Sequence, residues 1–230
     1  ISKPLVISDF ELMKDAVRVT GEKLELHCLK DVPNSGKYEY GFIDVLDMHN
    51  VDMSKHVYKK VSAENGRASF EYIKKAIELA ISGYIDATVT GPISKEALNL
   101  AGFRYAGHTE IYSELTNTKD YAMMLVDENF RIAHVSTHVS LRKACDLVKK
   151  ERIMKVIELT AEMLRRLGIG DSKIAVAGLN PHASEGGLFG DEEEKEIIPA
   201  IEQAKAKGIN AFGPFPPDTI FSRAKGGEFD

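Results

Sequence analysis

Tryptophan is missing from this chain, cysteine occurs only twice, and no apolar run approaches the ~20 residues of a membrane helix. Each shortage excludes something. Cys28 and Cys145 are too few for a disulfide framework, so both read as buried free thiols of a protein in a reducing cytoplasm. The formal charge is -5, and nucleic acid needs a concentrated basic face, so neither nucleic acid nor a membrane is an expected partner. No Gly-x-Ser-x-Gly elbow occurs and Cys145 has no base beside it in sequence, which argues against a serine or thiol nucleophile. A dinucleotide would have to bind without the Rossmann fingerprint, because no Gly-x-Gly-x-x-Gly follows a strand. No secretory leader is visible, and the Gly226–Asp230 ending reads as the run-in to another strand, as though the chain were a piece of a longer protein.

Hydrophobic residues make up 43% of the 230 positions and charged residues 28%, enough to bury one large core or two small ones. Strands are expected at residues 3–7, 24–29, 84–89, 122–126, 131–135, 173–177 and 210–212. Helices are expected between them. Asp9 caps the first, in which Phe10, Met13 and Val17 share a face. Phe70, Ile73, Ile77, Ala80 and Ile81 recur at helical spacing before Gly83, and Ser94 caps a helix through Leu100. Thr109 opens a helix to Leu115, and residues 150–167 carry the clearest apolar stripe. Asp191 and Glu194 resemble a reciprocal helix cap ahead of Pro199. Residues 31–66 give no clear pattern, and His49 and His56 within them read as solvated surface histidines. The alternation predicts an α/β fold, its strands apolar on both faces under covering helices. Two lobes would meet in a continuous sheet or in a short hinge at residues 101–106, giving a first lobe over 1–104 and a second over 105–230.

Three segments concentrate chemistry: Gly107-His108-Thr109-Glu110, Ser136-Thr137-His138-Val139-Ser140, and Gly178-Leu179-Asn180-Pro181-His182-Ala183. The second and third follow expected strands, and ligands of α/β proteins bind at strand ends. Neutral imidazole is the commonest metal ligand, so His138 and His182 are metal candidates; capping of a strand end through hydrogen bonds is the bland alternative for each. A catalytic metal takes three protein ligands, so a third must come from Asp218, from beyond Asp230 or from a second subunit. His108 and Thr109 offer an imidazole and a hydroxyl to a polar ligand. Glycines 178, 186, 187 and 190 could present backbone N–H groups to a phosphate. Lys95, after a Gly-Pro turn, is the best anion contact among Lys95, Arg142, Arg223 and Lys225.

Taken in order, Thr90-Gly-Pro-Ile-Ser-Lys95, Gly107-His-Thr-Glu110, Ser136-Thr-His138, Gly178-Leu-Asn-Pro-His182 and Gly213-Pro-Phe-Pro-Pro-Asp-Thr219 resemble the 4-hydroxythreonine-4-phosphate dehydrogenase family of pyridoxal phosphate biosynthesis. The resemblance implies a two-lobed fold like the isocitrate and isopropylmalate dehydrogenases. It also implies a homodimer with sites at the subunit interface, NAD or NADP as oxidant, and a divalent metal (zinc first, magnesium or cobalt as alternatives). On that footing His138 and His182 are metal ligands, His108 and Thr109 contact substrate, and Asp218 or Lys95 moves the hydroxyl proton. The family's third metal histidine lies in a Tyr-His-Asp-Gln segment expected soon after Asp230, and its Gly-Asp-Pro-Ala-Gly-Ile-Gly segment would precede Ile1. The implied reaction is oxidation and decarboxylation of 4-phosphohydroxy-L-threonine. Thr137–Arg142 also looks like a sister group that acts on D-threonate or D-erythronate 4-phosphate. A non-catalytic metal-binding protein and a phosphate acyltransferase are the rival classes.

Overall fold

The computed structural model describes residues 2–31 and 36–230 and divides the chain into two compact units, 1–119 and 120–230. In the first, a parallel sheet of order β1-β3-β2 is built from β1 (Leu5–Ser8), β2 (Glu25–Leu29) and β3 (Phe42–Asp47). Val45 of β3 lies in register with both Val6 and Cys28 and is fully buried. This central strand falls within residues 31–66, the stretch without a clear pattern. Asp44 interrupts its apolar run, yet Asp44 is only 2% exposed. Its carboxylate accepts hydrogen bonds from the Lys37 and Tyr38 backbone N–H groups and meets His27 Nδ1 at 2.7 Å, which compensates its burial. Part of that stretch, residues 32–35, lies outside the described residues.

Asp9 caps α1 (Phe10–Thr20) as expected, accepting from the N–H groups of Glu11 and Leu12. Ser62 caps α2 (Ala63–Ile81), whose Phe70, Ile73 and Ile77 face a cluster with Leu98 of α3 (Lys95–Leu100) and Ile111 of α4 (His108–Leu115). That packing keeps α4 in the first unit, so the division falls after Lys119 rather than at residues 101–106. Gly107, not Thr109, occupies the N-cap of α4. The expected strand at 84–89 joins none of the three sheets. Ile85 alone packs onto the β1 and β3 cluster, while Tyr84 and Val89 are exposed, and an apolar run without a neighbouring ladder does not become a strand.

The second unit opens with the antiparallel hairpin of β4 (Met124–Asp127) and β5 (Phe130–Ala133), as its turn residues predict. After α5 (Leu141–Asp146) and α6 (Lys150–Arg166), β6 (Ile174–Ala177) pairs in parallel with β7 (Ala211–Phe215). Between them lie α7 (Ile198–Ala206), with Pro199 in its first turn, and a preceding π-helical turn over Glu193–Ile197. The core joins Ile153, Ile157 and Leu164 of α6 to Ile201 and Ala204 of α7 and to Ile174 and Ala211 of the strands. Short helices α5 and α8 (Ile220–Lys225) were not legible, since neither buries more than one side chain. The Gly226–Asp230 ending is a turn, and Asp230 N–H donates to the Lys173 carbonyl. The hairpin and the β6–β7 pair are separate sheets, so no continuous sheet runs through the described residues.

Three surface expectations change. Cys145 is exposed and Cys28 half-buried, because the first sits on α5 and the second on the edge strand β2. His49 is exposed as expected, but both His56 ring nitrogens are enclosed without a hydrogen-bond partner, the ring edge-on to Tyr58 at 4.9 Å. Among the described residues no helix is long and apolar enough to cross a membrane.

Gly66 of α2 is the tightest helix contact. A Cβ there would stand 2.0 Å from the Ala97 carbonyl oxygen of α3, a backbone atom that cannot swing aside. Gly66→Ala should therefore lower stability by about 3 kcal/mol, the upper end for overpacking. Urea unfolding followed by far-ultraviolet circular dichroism reads it, and an unchanged midpoint would show that the helices separate freely.

Candidate functional site

In a parallel pair both chains leave the sheet at the same edge, and at that edge of β6–β7 lie two of the second unit's candidate residues. The loop after β6 carries His182, and the turn after β7 carries Asp218. The Gly178 N–H donates to the Phe215 carbonyl at 2.8 Å, so the two segments depart side by side. His138 follows β5, on a segment fastened to α6 by the Arg152 Nε donation to the Val135 carbonyl. All three side chains are exposed.

The backbone at both histidines is unusual. His138 has φ 55°, and residues His182, Ala183, Ser184 and Glu185 form a left-handed turn with φ of 55°, 53°, 65° and 47°. Left-handed geometry costs a non-glycine L-residue roughly 1–2 kcal/mol, and such strain persists only where neighbours over-determine it. Ser184 is the anchor inside the turn: it is 4% exposed, and its carbonyl accepts from the Gly187 and Phe189 N–H groups. The result is an exposed His182 ring, its centroid 6.3 Å from that of the tilted Phe189 ring.

Glu193 holds the other end of this loop. Its carboxylate is 1% exposed. Oε1 accepts from the N–H groups of Leu179 and Asn180, each at 2.7 Å, and Oε2 accepts from Asn180 Nδ2 at 2.8 Å. Burial alone would raise the Glu193 carboxyl, but the hydrogen bonds from Asn180 and Leu179 outweigh it and hold it below the usual glutamate range. The sequence reading singled out Asp191 and Glu194 in this acidic run. Neither forms the expected reciprocal cap: Asp191 pairs with Lys195, and Glu194 is exposed. The available signal was four acidic residues placed directly after a glycine-rich loop, but only the π-helical turn decides which of them points inward.

The other candidates lie in the first unit. His108 is the first residue of α4 and Thr109 the second, so their N–H groups are among those a helix leaves unpaired. With the Thr90-Gly91-Pro92 turn, His108 borders an open cavity of about 1130 Å³. Burial lowers the His108 pKa, which favours the neutral imidazole. Tyr112, one turn along α4, donates to Thr88 Oγ1 at 2.8 Å and ties the helix to the same wall. Lys95 starts α3 with an exposed side chain, and neither Lys95 nor Thr109 lines that cavity.

Neither the His138 nor the His182 ring has a hydrogen-bonding partner among the described residues, so the donor type suits a divalent metal. Among the described residues, neither ring belongs to a group of three donors close enough to share an ion. The three-donor group that does form is Asp9, Asp47 and His49 in the first unit, which the sequence reading missed. Three of its four carboxylate oxygens already accept hydrogen bonds. Asp9 accepts from Glu11, Leu12, Asn50 and Val51 N–H groups, and Asp47 Oδ1 accepts from Phe10 and His49 N–H groups. This cluster stitches the ends of β1 and β3.

A family model described as "Pyridoxal phosphate biosynthetic protein PdxA" matches residues 1–230. A curated relative from Symbiobacterium thermophilum, named "Putative D-threonate 4-phosphate dehydrogenase", is 45% identical over 230 residues, which are all of this chain and 68% of the relative. A 4-hydroxythreonine-4-phosphate dehydrogenase structure from Klebsiella pneumoniae superposes with a TM-score of 0.93 at 39% identity, covering 98% of this chain and 68% of that one. A structure of the same description from Burkholderia phymatum gives a TM-score of 0.89 at 39% identity, covering 99% and 69%.

The lowered Glu193 carboxyl makes the second unit sensitive to acid. Its contribution is complete above the ordinary glutamate value of 4.5 and is lost as pH falls through the lower folded value. Thermal melts of the parent and Glu193→Gln should therefore differ most near neutrality and converge in acid. A gap that stays constant with pH would show that the carboxylate is not held ionised.

Proposed function

The chain belongs to the PdxA family of pyridoxal phosphate biosynthetic proteins, and from that membership we propose that it is a dehydrogenase oxidising the C3 alcohol of a 4-phosphorylated, four-carbon hydroxy acid with NAD or NADP. The family fold, two-lobed α/β like the isocitrate and isopropylmalate dehydrogenases, is the fold of this chain. Of the two substrates that the relatives' names offer, D-threonate 4-phosphate is favoured over 4-phosphohydroxy-L-threonine. The relative of that name is 45% identical, against 39% for the structures named for hydroxythreonine phosphate. D-erythronate 4-phosphate belongs to the same class.

The observation that carries the reading is the pairing of the His182 and Asp218 segments at one edge of β6–β7, within a chain matched along its whole length. Removing a hydride from C3 requires that the hydroxyl proton also leave. Asp218 has no partner among the described residues and can accept that proton; Lys95 is the alternative carrier. The hydride goes to the nicotinamide, which leaves a ketone β to the carboxylate. Loss of carbon dioxide from that keto acid leaves an enolate, which takes up a proton to give a three-carbon keto phosphate. Neutral His108, with the free N–H groups at the start of α4, suits a phosphate or hydroxyl of the substrate. His138 and His182 would hold a divalent metal together with a third ligand from outside the described residues, zinc first by donor type. When bound, that ion supplies Lewis acidity at the reacting hydroxyl. A homodimer in a reducing cytoplasm fits the family and the free thiols of Cys28 and Cys145.

Offered both substrates with NAD and NADP, the intact enzyme should reduce the nucleotide, with kcat/KM about tenfold higher for D-threonate 4-phosphate. The reverse ranking would assign 4-phosphohydroxy-L-threonine, and coenzyme A dependence without nucleotide reduction would replace the reading with acyl transfer. His182→Ala should remove bound metal and turnover together. Turnover retained without metal would refute the ligand role.

A further inference from the structure

We infer that Glu193 is a positioning residue, clamping the strained loop that presents His182; the inference deepens the proposed function and rests on His182 belonging to the site. The loop runs from Gly178 to the left-handed turn at residues 182–185, a conformation its own sequence does not favour. Something outside it must hold it. Glu193 receives three donors from its first residues: the Leu179 N–H, the Asn180 N–H and Asn180 Nδ2. The neighbouring Glu192 Oε2 accepts from the same Nδ2 at 2.8 Å. Space is closed around this clamp. A Cβ at Gly178 would meet Ala183 Cα at 2.9 Å and Glu193 Oε1 at 3.1 Å, and one at Gly190 would meet Asn180 Nδ2 at 2.6 Å.

The geometry that aims Glu193 is itself a local departure. It starts a single π-helical turn, Glu193–Ile197, at the head of α7, and isolated π turns recur at functional sites. Ile197 at the other end of that turn is in the core, so the turn fixes Glu193 to the same packing that carries β6 and β7. The Asn180 carbonyl in turn accepts from the Ala183 N–H at 3.1 Å, so a chain of contacts runs from the core to Glu193 to Asn180 to the turn that carries His182, and Glu193 makes no hydrogen bond to His182 itself among the described residues.

Glutamine cannot replace this carboxylate. If its carbonyl meets the two backbone N–H groups, its NH2 faces the NH2 of Asn180. If it is reversed, its NH2 faces the two N–H groups. Rotating the Asn180 amide would relieve the first clash only by turning its carbonyl toward the Glu192 carboxylate.

The test is Glu193→Gln in the intact enzyme, with Glu194→Gln, an exposed neighbour on the same turn, as the control of equal charge change. Histidine imidazole NMR is the first readout. In the metal-free enzyme the His182 ring signals should shift and broaden in Glu193→Gln, while those of His138 stay in place and Glu194→Gln changes neither. Zinc affinity should fall about tenfold, and kcat should fall about tenfold with the KM for NAD unchanged. Unmoved His182 signals in a folded Glu193→Gln protein would overturn the inference. If that variant does not fold, Asn180→Ala is read by the same NMR signals, with a shift at His182 supporting the clamp and none overturning it. A parent enzyme that binds no zinc, yet shows the selective His182 shift, would sink the metal reading and leave the clamp standing.

Discussion

Among the described residues three carboxylates are buried, and each one satisfies backbone N–H groups that a strand end or loop would otherwise leave unpaired. Asp9 gathers the start of α1 and the turn after β3. Asp44 gathers residues 37 and 38 above the sheet, and Glu193 gathers the start of the loop after β6. A buried charge costs several kcal/mol unless it is well hydrogen-bonded, and a buried N–H without an acceptor costs about 1–3 kcal/mol. Each defect cancels the other. Loops that have no helix or ladder of their own acquire one conformation through a single acidic side chain.

That constraint explains which parts of the fold the sequence discloses. Periodicity finds elements whose apolar residues repeat, so α2, α6, β6 and the β4–β5 hairpin are legible. It fails at β3, because its apolar run is broken by a charged Asp44 whose partners are the backbone of the preceding loop and His27 of the neighbouring strand. It fails in the opposite direction at residues 84–89, where apolar character without an adjacent strand leaves the segment unpaired. Short helices such as α5 carry too few buried residues to show a stripe, although Ser140 caps that helix in the way its residue type favours.

The site divides along the same line. Histidines set among glycines and small residues announce themselves, and His108, His138 and His182 stand out as candidates for that reason. The residue that fixes one of them was not. Glu193 looks like any member of the run Asp191-Glu192-Glu193-Glu194, and its role follows from a π-helical turn that no side-chain pattern signals. The left-handed turn at His182 is equally silent, since Ala183, Ser184 and Glu185 are not residues that favour positive φ. Local preference and tertiary demand disagree at that loop, and such disagreement is most common where a protein binds or reacts.

Satisfied and unsatisfied donors also separate the two groups that could attract a cation. At Asp9, Asp47 and His49 the ligand atoms lie within 4.8 Å of one another, yet the carboxylate oxygens there already accept backbone N–H groups. A cation would have to compete with those donors for the same oxygens. His138 and His182 are the reverse: exposed rings without hydrogen-bonding partners among the described residues, on backbones whose strain nothing local rewards. Proximity alone would choose the first group. The free-energy cost of breaking existing hydrogen bonds counts against that group, and the exposed, unpartnered rings of His138 and His182 carry no such cost.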